Sequence, residues 1–88
     1  MKSKSSDNSQ ISALLIERLM YKYPDSVYLL DDYSNITMGI PVDEHQAYIT
    51  IDVHHDYAVV QGDVYVDEIA GVAHAIQIEV DEIYKCYV

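Results

Sequence analysis

A stretch of regular alternation from His45 to Glu68 constrains the fold of this chain more than any other feature. Apolar residues take every second position in two arms, with polar residues and tyrosines mostly between them. The apolar sides of the two arms are formed by Ala47, Ile49, Ile51 and Val53, and by Ala58, Val60, Val64 and Val66. Alternation in β-branched residues is typical of a half-buried strand. The stretch therefore predicts an antiparallel hairpin with one face in a core and the other in water.

The register of this hairpin follows from its inner residues. If His55 and Asp56 form a two-residue loop, Val53 faces Ala58, and every inner residue of one arm meets an inner residue of the other. His-Asp is not a favoured pair for such a turn. A four-residue loop from His54 to Tyr57 therefore stays open as an alternative.

Before the hairpin, the sequence predicts one helix and two short strands. At 88 residues the chain is one domain. It consists of a polar leader over residues 1–8, which we expect to be disordered, and a folded part over 9–88. A helix capped by Asn8 or Ser9 ends before Pro24; its apolar stripe holds Ile11, Leu14, Leu15 and Leu19. Strands follow at 26–30 and 36–40, and Pro41 marks the second as an edge or irregular strand.

After the hairpin, Gly71 is expected to turn the chain into a last strand from His74. In that strand Ile76, Ile78 and Val80 would be buried, with Gln77, Glu79 and Asp81 outside. The predicted fold is therefore α+β, with one N-terminal helix packed on a four- to five-stranded antiparallel sheet.

The charge of the chain restricts its partners. Fifteen acids oppose five bases, giving −10, and residues 25–88 hold thirteen of the acids with Lys85 as the one base, giving −12. Such a field repels nucleic acid and anionic membranes and attracts basic proteins. The nine tyrosines, without Phe or Trp, suit half-wet contact surfaces.

The outer side of the predicted sheet is the candidate binding surface. Acids and tyrosines alternate with the core residues there, which would bring several carboxylates onto one face. The candidate partner-binding residues are Asp52, Asp56, Asp63, Asp67, Glu79, Asp81, Tyr48, Tyr57 and Tyr65. A plainer interpretation is that the acids only keep a small domain in solution. The scarcity of balancing Lys and Arg favours binding.

No motif for catalysis, phosphate binding or a cofactor is found, so no catalytic residue and no cofactor are predicted. His54, with Asp52 and Tyr57, is a weak divalent-metal alternative, because a zinc site needs three or four converging ligands. The single cysteine, Cys86, excludes an intramolecular disulfide and indicates a reducing compartment. No apolar run has the length of a membrane span or signal peptide, which predicts a cytoplasmic protein.

In size, acidic sheet, single cysteine and lack of an active site, residues 25–88 resemble the small acidic inhibitors encoded by phages and mobile elements. These include anti-CRISPR and anti-restriction proteins that imitate DNA. The resemblance implies a stoichiometric inhibitor, acting in the bacterial cytoplasm. It would occupy the nucleic-acid-binding groove of a basic protein such as a CRISPR effector, restriction enzyme or nuclease.

Two other functions share some of these features. An immunity protein or antitoxin for one cognate nuclease would use the same surface against a narrow target. A homodimeric assembly module would use tyrosine-bearing edges, with a concentration-dependent mass and little sensitivity to salt.

Overall fold

A computed structural model of the chain describes residues 7–62 and 67–88, with only the backbone described at 67 and 68. Its elements in chain order are α1 (Asn8–Lys22), β1 (Val27–Leu30), β2 (Ile36–Val42), β3 (His45–Val53), β4 (Ala58–Gly62) and α2 (Asp67–Tyr87). The strands form an antiparallel sheet in the order β1-β2-β3-β4. The predicted α+β class, with an N-terminal helix on a four-stranded antiparallel sheet, is confirmed. Most of the predicted leader, residues 1–6, lies outside the described residues.

The central hairpin has the predicted register. Val53 pairs with Ala58 and Ile51 with Val60, and the inner residues of β3 are buried while the residues between them are exposed. The His54 N–H donates to the Tyr57 carbonyl at 2.8 Å. Val64 and Val66, predicted to continue the second arm, lie outside the described residues.

Helix α1 begins one residue earlier than predicted. Asp7, rather than Asn8 or Ser9, is the N-cap, because its Oδ1 accepts from the Gln10 N–H at 2.9 Å while the Gln10 side chain returns to the Asp7 N–H at 3.3 Å. This reciprocal arrangement satisfies two N–H groups at the start of the helix. The buried stripe of α1 contains Ile11, Leu15 and Leu19.

Strand β2 is an interior strand, so the prediction that Pro41 marks an edge or irregular strand is wrong. β1 reaches only as far as Gly39, which pairs with Val27. By the alternation of the ladder, the nitrogen of Pro41 points to the β1 side, beyond the end of β1. The missing N–H therefore removes no bond to β3.

The C-terminal segment is a helix, which contradicts the predicted turn at Gly71 and the predicted strand from His74. Its buried residues recur at steps of four and three, namely Ile69, Ala73, Ile76, Val80 and Ile83, and this is the helical period. Ile78, predicted to be buried, is 52% exposed. Gly71 lies at an exposed helical position where an added Cβ meets nothing within 4 Å.

Both helices pack on the same face of the sheet. The core joins the buried stripes of α1 and α2 to the inner residues of β2, β3 and β4. The opposite face of the sheet is covered by no other described element, and exposed side chains such as Leu29, Tyr48 and Asp52 lie on it.

Candidate functional site

The open face of the sheet carries fewer acids than the sequence suggested. Tyr48 and Asp52 lie there as predicted, exposed on β3. Asp52 is the one carboxylate on the described strand residues of this face. The described residues of this face on the other strands include no charged side chain; among them are Val27, Leu29, Thr37, Val59 and Gln61. The described strands therefore do not form the predicted acidic face.

Glu79 and Asp81 do not extend the sheet face, because both lie on α2 in the helical layer. They were predicted to lie on the outer side of a strand from His74, and this was wrong because a short alternation of apolar and polar residues was interpreted as a strand. Glu79 is also neutralised, since Lys22 Nζ lies 2.6 Å from its Oε1. The hydrogen bond and the charge of Glu79 raise the pKa of Lys22.

The remaining predicted residues are divided among three places. Asp56 and Tyr57 lie in or beside the β3–β4 turn and are exposed. Asp67 is the first residue of α2. Asp63 and Tyr65 lie outside the described residues.

The topology gathers a different set of carboxylates. In an up-and-down sheet alternate turns share an end, so the β1–β2 and β3–β4 turns lie together. The N-terminus of α1 and the last turns of α2 meet them there, through the Asn8–Val53 and Tyr84–His54 hydrogen bonds. We call this region the acidic end; its carboxylates are Asp7, Asp31, Asp32, Asp52, Asp56 and Asp81.

Asparagine and aspartate side chains fix the two turns to one another. Asp31 Oδ1 accepts from the backbone N–H groups of Tyr33 and Asn35, at 2.8 and 2.9 Å. Asn35 Oδ1 in turn accepts from the Val53 N–H at 3.0 Å. The first turn is therefore anchored to the end of β3, which holds Asp31 near Asp52.

The start of α1 is attached to the same place. Asn8 Nδ2 donates to the Val53 carbonyl at 3.4 Å. The buried Ser12 hydroxyl contacts the carbonyls of Asn8 and Ser34. These bonds place Asp7 beside the turns, and the Gln10 N–H lowers the pKa of its carboxyl by favouring the charged form.

In the β3–β4 turn an imidazole, a phenol and a carboxylate lie in contact. The His54 ring stacks on Tyr57 with centroids 4.5 Å apart, and its Nε2 lies 3.0 Å from Asp52 Oδ2. The Tyr84 hydroxyl donates to the His54 carbonyl at 2.8 Å. Burial raises the pKa of Tyr84 to about 12, with a further contribution from the charge of Asp56. α2 therefore holds this turn in position.

Asp31 and Asp52 line one shallow depression on the open face, of about 410 Å³. Asn35, Thr37, Thr50 and Gln61 complete its polar lining. Carboxylates, hydroxyls and amides together accept hydrogen bonds from an ammonium or guanidinium group. The depression is thus suited to a Lys or Arg side chain of another protein.

Among the described residues, which do not include Lys2 and Lys4, few cations balance this end. In the described ranges, Lys22 forms an ion pair with Glu79 and the His54 ring contacts Asp52, each within 4 Å, so Lys and Arg approach none of the six carboxylates that closely. Arg18 lies over the Tyr87 ring, 4.0 Å from its centroid, in a groove between the helices. Tyr33, 80% exposed, and Tyr57 add aromatic surface to the acidic end.

Sequence reasoning missed Asp7, Asp31, Asp32 and Tyr33 as members of a site. The three turn residues, Asp31, Asp32 and Tyr33, could have been found from the sequence, because a meander of four short strands must place its first and third turns at one end. The attachment of Asp7 was not available, since it depends on the Asn8 and Ser12 hydrogen bonds.

Within residues 7–62 and 67–88, no three His, Cys, Asp or Glu side chains are placed to share a metal ion. Neither helix, over the residues described, combines the length and apolarity needed to cross a bilayer. Comparison with protein-family models, curated proteins and solved structures gives no significant match to this chain.

Proposed function

We propose that this protein is a stoichiometric inhibitor that binds a basic nucleic-acid-binding protein through its acidic end and takes the place of the nucleic acid. The observation that supports this most is the gathering of six carboxylates at one end without Lys or Arg within 4 Å among the described residues. Like charges held together destabilise a small domain. Binding to a basic surface would offset that cost.

The proposed mechanism starts with electrostatic encounter. A chain of net charge −10 is drawn to a surface that normally holds phosphates, which speeds association. Carboxylates such as Asp31, Asp52 and Asp56 then pair with the Lys and Arg of that surface. Exposed Tyr33 and Tyr57 supply aromatic area that is buried at the contact.

The proposed partner is a CRISPR effector, restriction enzyme or nuclease in the cytoplasm of a bacterial host. Its nucleic-acid groove is basic, whereas nucleic acid itself is repelled by this chain. The exposed thiol of Cys86 is compatible with a reducing compartment. Inhibition of this kind uses no cofactor.

The test separates position from net charge. One variant combines Asp31→Asn, Asp52→Asn and Asp56→Asn at the acidic end; Asn keeps the oxygen that the turn hydrogen bonds need. The matched control combines Asp25→Asn, Asp43→Asn and Glu44→Gln at the opposite end of the sheet. Each set of three substitutions changes the net charge from −10 to −7.

Binding is measured to a panel of purified restriction enzymes, CRISPR effectors and nucleases, with and without competing duplex DNA. We expect tight binding to at least one member, displaced by DNA and weakened about 10- to 100-fold by the acidic-end variant alone, for a loss of roughly 1.4–2.8 kcal/mol. Equal weakening by both variants, or binding that DNA does not displace, would contradict the proposal. Binding to a single nuclease without DNA competition would instead indicate an immunity protein.

A further inference from the structure

The two edges of the sheet differ in how their backbone groups are satisfied. At the β4 edge, Gln77 of α2 acts in place of a fifth strand: its Oε1 accepts from the Val60 N–H at 2.9 Å, and its Nε2 donates to the Ala58 carbonyl at 2.9 Å. In the described part of the chain, no side chain covers the backbone of β1 in this way.

The open groups of β1 can be identified from its pairing with β2. The Asp31 N–H donates to the Asn35 carbonyl at 3.0 Å, so the ladder continues beyond Leu30 with odd-numbered residues bonded to β2. The N–H and C=O groups of Tyr28 and Leu30 therefore point outward. They provide two donors and two acceptors at the free edge.

Strand β1 is short, which by itself limits an exposed edge, but it lacks two other features that usually protect one. Its four residues, Val27 to Leu30, contain no charge and no proline, although natural edge strands are commonly protected by these. Leu29 is 69% exposed and Leu30 48% exposed. The edge is therefore apolar and neutral in a strongly acidic chain.

We propose that β1 pairs antiparallel with β1 of a second copy, with Leu29 facing Leu29 of that copy across a two-fold axis. In this register Tyr28 of each copy lies opposite Leu30 of the other, and all four outward groups of each strand form hydrogen bonds. The contact is isologous, so it closes at a dimer. The two four-stranded sheets become one sheet of eight strands.

Charge favours this register with a second copy. Asp31 falls opposite Val27 and Asp32 opposite Ser26, so no carboxylate in or directly flanking β1 faces another across the contact. The acidic ends lie at opposite sides of the dimer, and of their carboxylates only Asp31 and Asp32 border the contact. Because the copies repel at long range, added salt strengthens the association or leaves it unchanged, whereas binding of a basic protein to the acidic end weakens.

The first experiment is sedimentation equilibrium of the full chain over a range of protein concentration extending to ~1 mM. High concentrations are needed because the contact joins one four-residue strand of each copy, and interfaces below ~1,200 Å² are weak. We expect the mass to rise from 10.0 kDa toward twice that value. Leu29→Glu should weaken the dimer at least tenfold. Ile78→Glu, which adds the same charge at an exposed position on α2, should not.

The second experiment tests the register. In a Cys86→Ser background, Leu29→Cys should oxidise to a disulfide-linked dimer, because residues facing each other in a non-hydrogen-bonded antiparallel pair have Cα atoms ~4.5 Å apart, within disulfide reach. Ile78→Cys in the same background should cross-link far more slowly.

A mass that stays at 10.0 kDa throughout, or equal cross-linking of the two cysteine variants, overturns the proposal. So does a dimer that Leu29→Glu leaves intact. None of these results bears on the acidic end, because Leu29 is not part of it, and the two triple variants test that surface separately.

Discussion

The β4 edge and the β1 edge of one sheet end in different ways, and the difference shows which surface the fold completes by itself. At β4, α2 provides an amide that satisfies two backbone groups, and Tyr84 fixes the adjoining turn. At β1 the outward groups of Tyr28 and Leu30 have no such cover in the described chain. One edge is completed within the chain, and the other is left open among the described residues.

We assign functions to two surfaces of this fold, the acidic end and the β1 edge. As proposed, the acidic end acts over a distance through charge, and the β1 edge acts at contact through hydrogen bonds and apolar area. Long-range attraction is screened by salt and contact burial is not. Because salt affects the two proposed contacts differently, they can be tested independently.

The largest loss of stability is expected when the β4 edge loses the hydrogen bonds that Gln77 makes to its backbone. Gln77→Leu removes both hydrogen bonds to β4, together with a third to Asp81 Oδ1 on α2. It leaves the partly buried Val60 N–H and Ala58 carbonyl without partners, which should lower the free energy of unfolding by about 2 kcal/mol. Urea denaturation measures this. Gln61→Leu, on the open face of β4, is the control and should change stability by less than about 0.5 kcal/mol. Equal losses in both variants would mean that the amide does not act as an edge cap.

A smaller loss is expected at the turn that adjoins β4. Tyr84→Phe removes the hydrogen bond to the His54 carbonyl and should cost about 1 kcal/mol. Tyr33→Phe, at a largely exposed ring, should cost almost nothing.

The same tyrosine predicts a dependence on alkaline pH. The pKa of Tyr84 is raised to about 12 in the folded protein, from 10.0 for the free side chain. The unfolded chain therefore releases this proton first, so its contribution to stability is complete below pH 10 and is lost as the pH rises through about 12. Tyr84→Phe should show a smaller loss over this interval in pH-dependent denaturation. An unchanged pH profile would contradict the assignment.

The finest comparison of the edges is amide hydrogen exchange in dilute protein. The Val60 N–H, bonded to Gln77, should exchange at least ~10-fold more slowly than the outward N–H groups of Tyr28 and Leu30. Raising the protein concentration should slow the exchange of the Tyr28 and Leu30 N–H groups and leave that of the Val60 N–H unchanged. Protection of Leu30 equal to that of Val60 in dilute protein would show that the β1 edge is already covered.

Much of this fold could be predicted from local patterns. The alternation in β3 and the beginning of β4 determines the hairpin register, and Val53 does pair with Ala58. α1 was found from its stripe and Pro24 because a helix of that length repeats its period several times. Its N-cap was misplaced by one residue, since Asp7, Asn8 and Ser9 are all good caps.

The C-terminal helix α2 could not be predicted from local patterns in the same way. Ile76, Ile78 and Val80 alternate, but Ile76 and Val80 also lie one helical turn apart, so a short window fits both periods. The misassignment displaced Glu79 and Asp81 from the helical layer to a sheet face. It also hid Gln77 as an edge cap, because an amide spans the β4 backbone only when α2 packs beside it.

The central claim is that the acidic end, rather than net charge in general, contacts a basic nucleic-acid-binding protein. The most direct test is the dissociation constant for the tightest-binding protein of the panel, measured over a salt series for the wild type and the two triple variants. Steep weakening with salt is predicted for the wild type and for the variant at Asp25, Asp43 and Glu44. A shallower dependence, with weaker binding at low salt, is predicted for the variant at Asp31, Asp52 and Asp56. The claim would be contradicted if the two variants showed the same dependence of the dissociation constant on salt, or if binding of the wild type did not depend on salt.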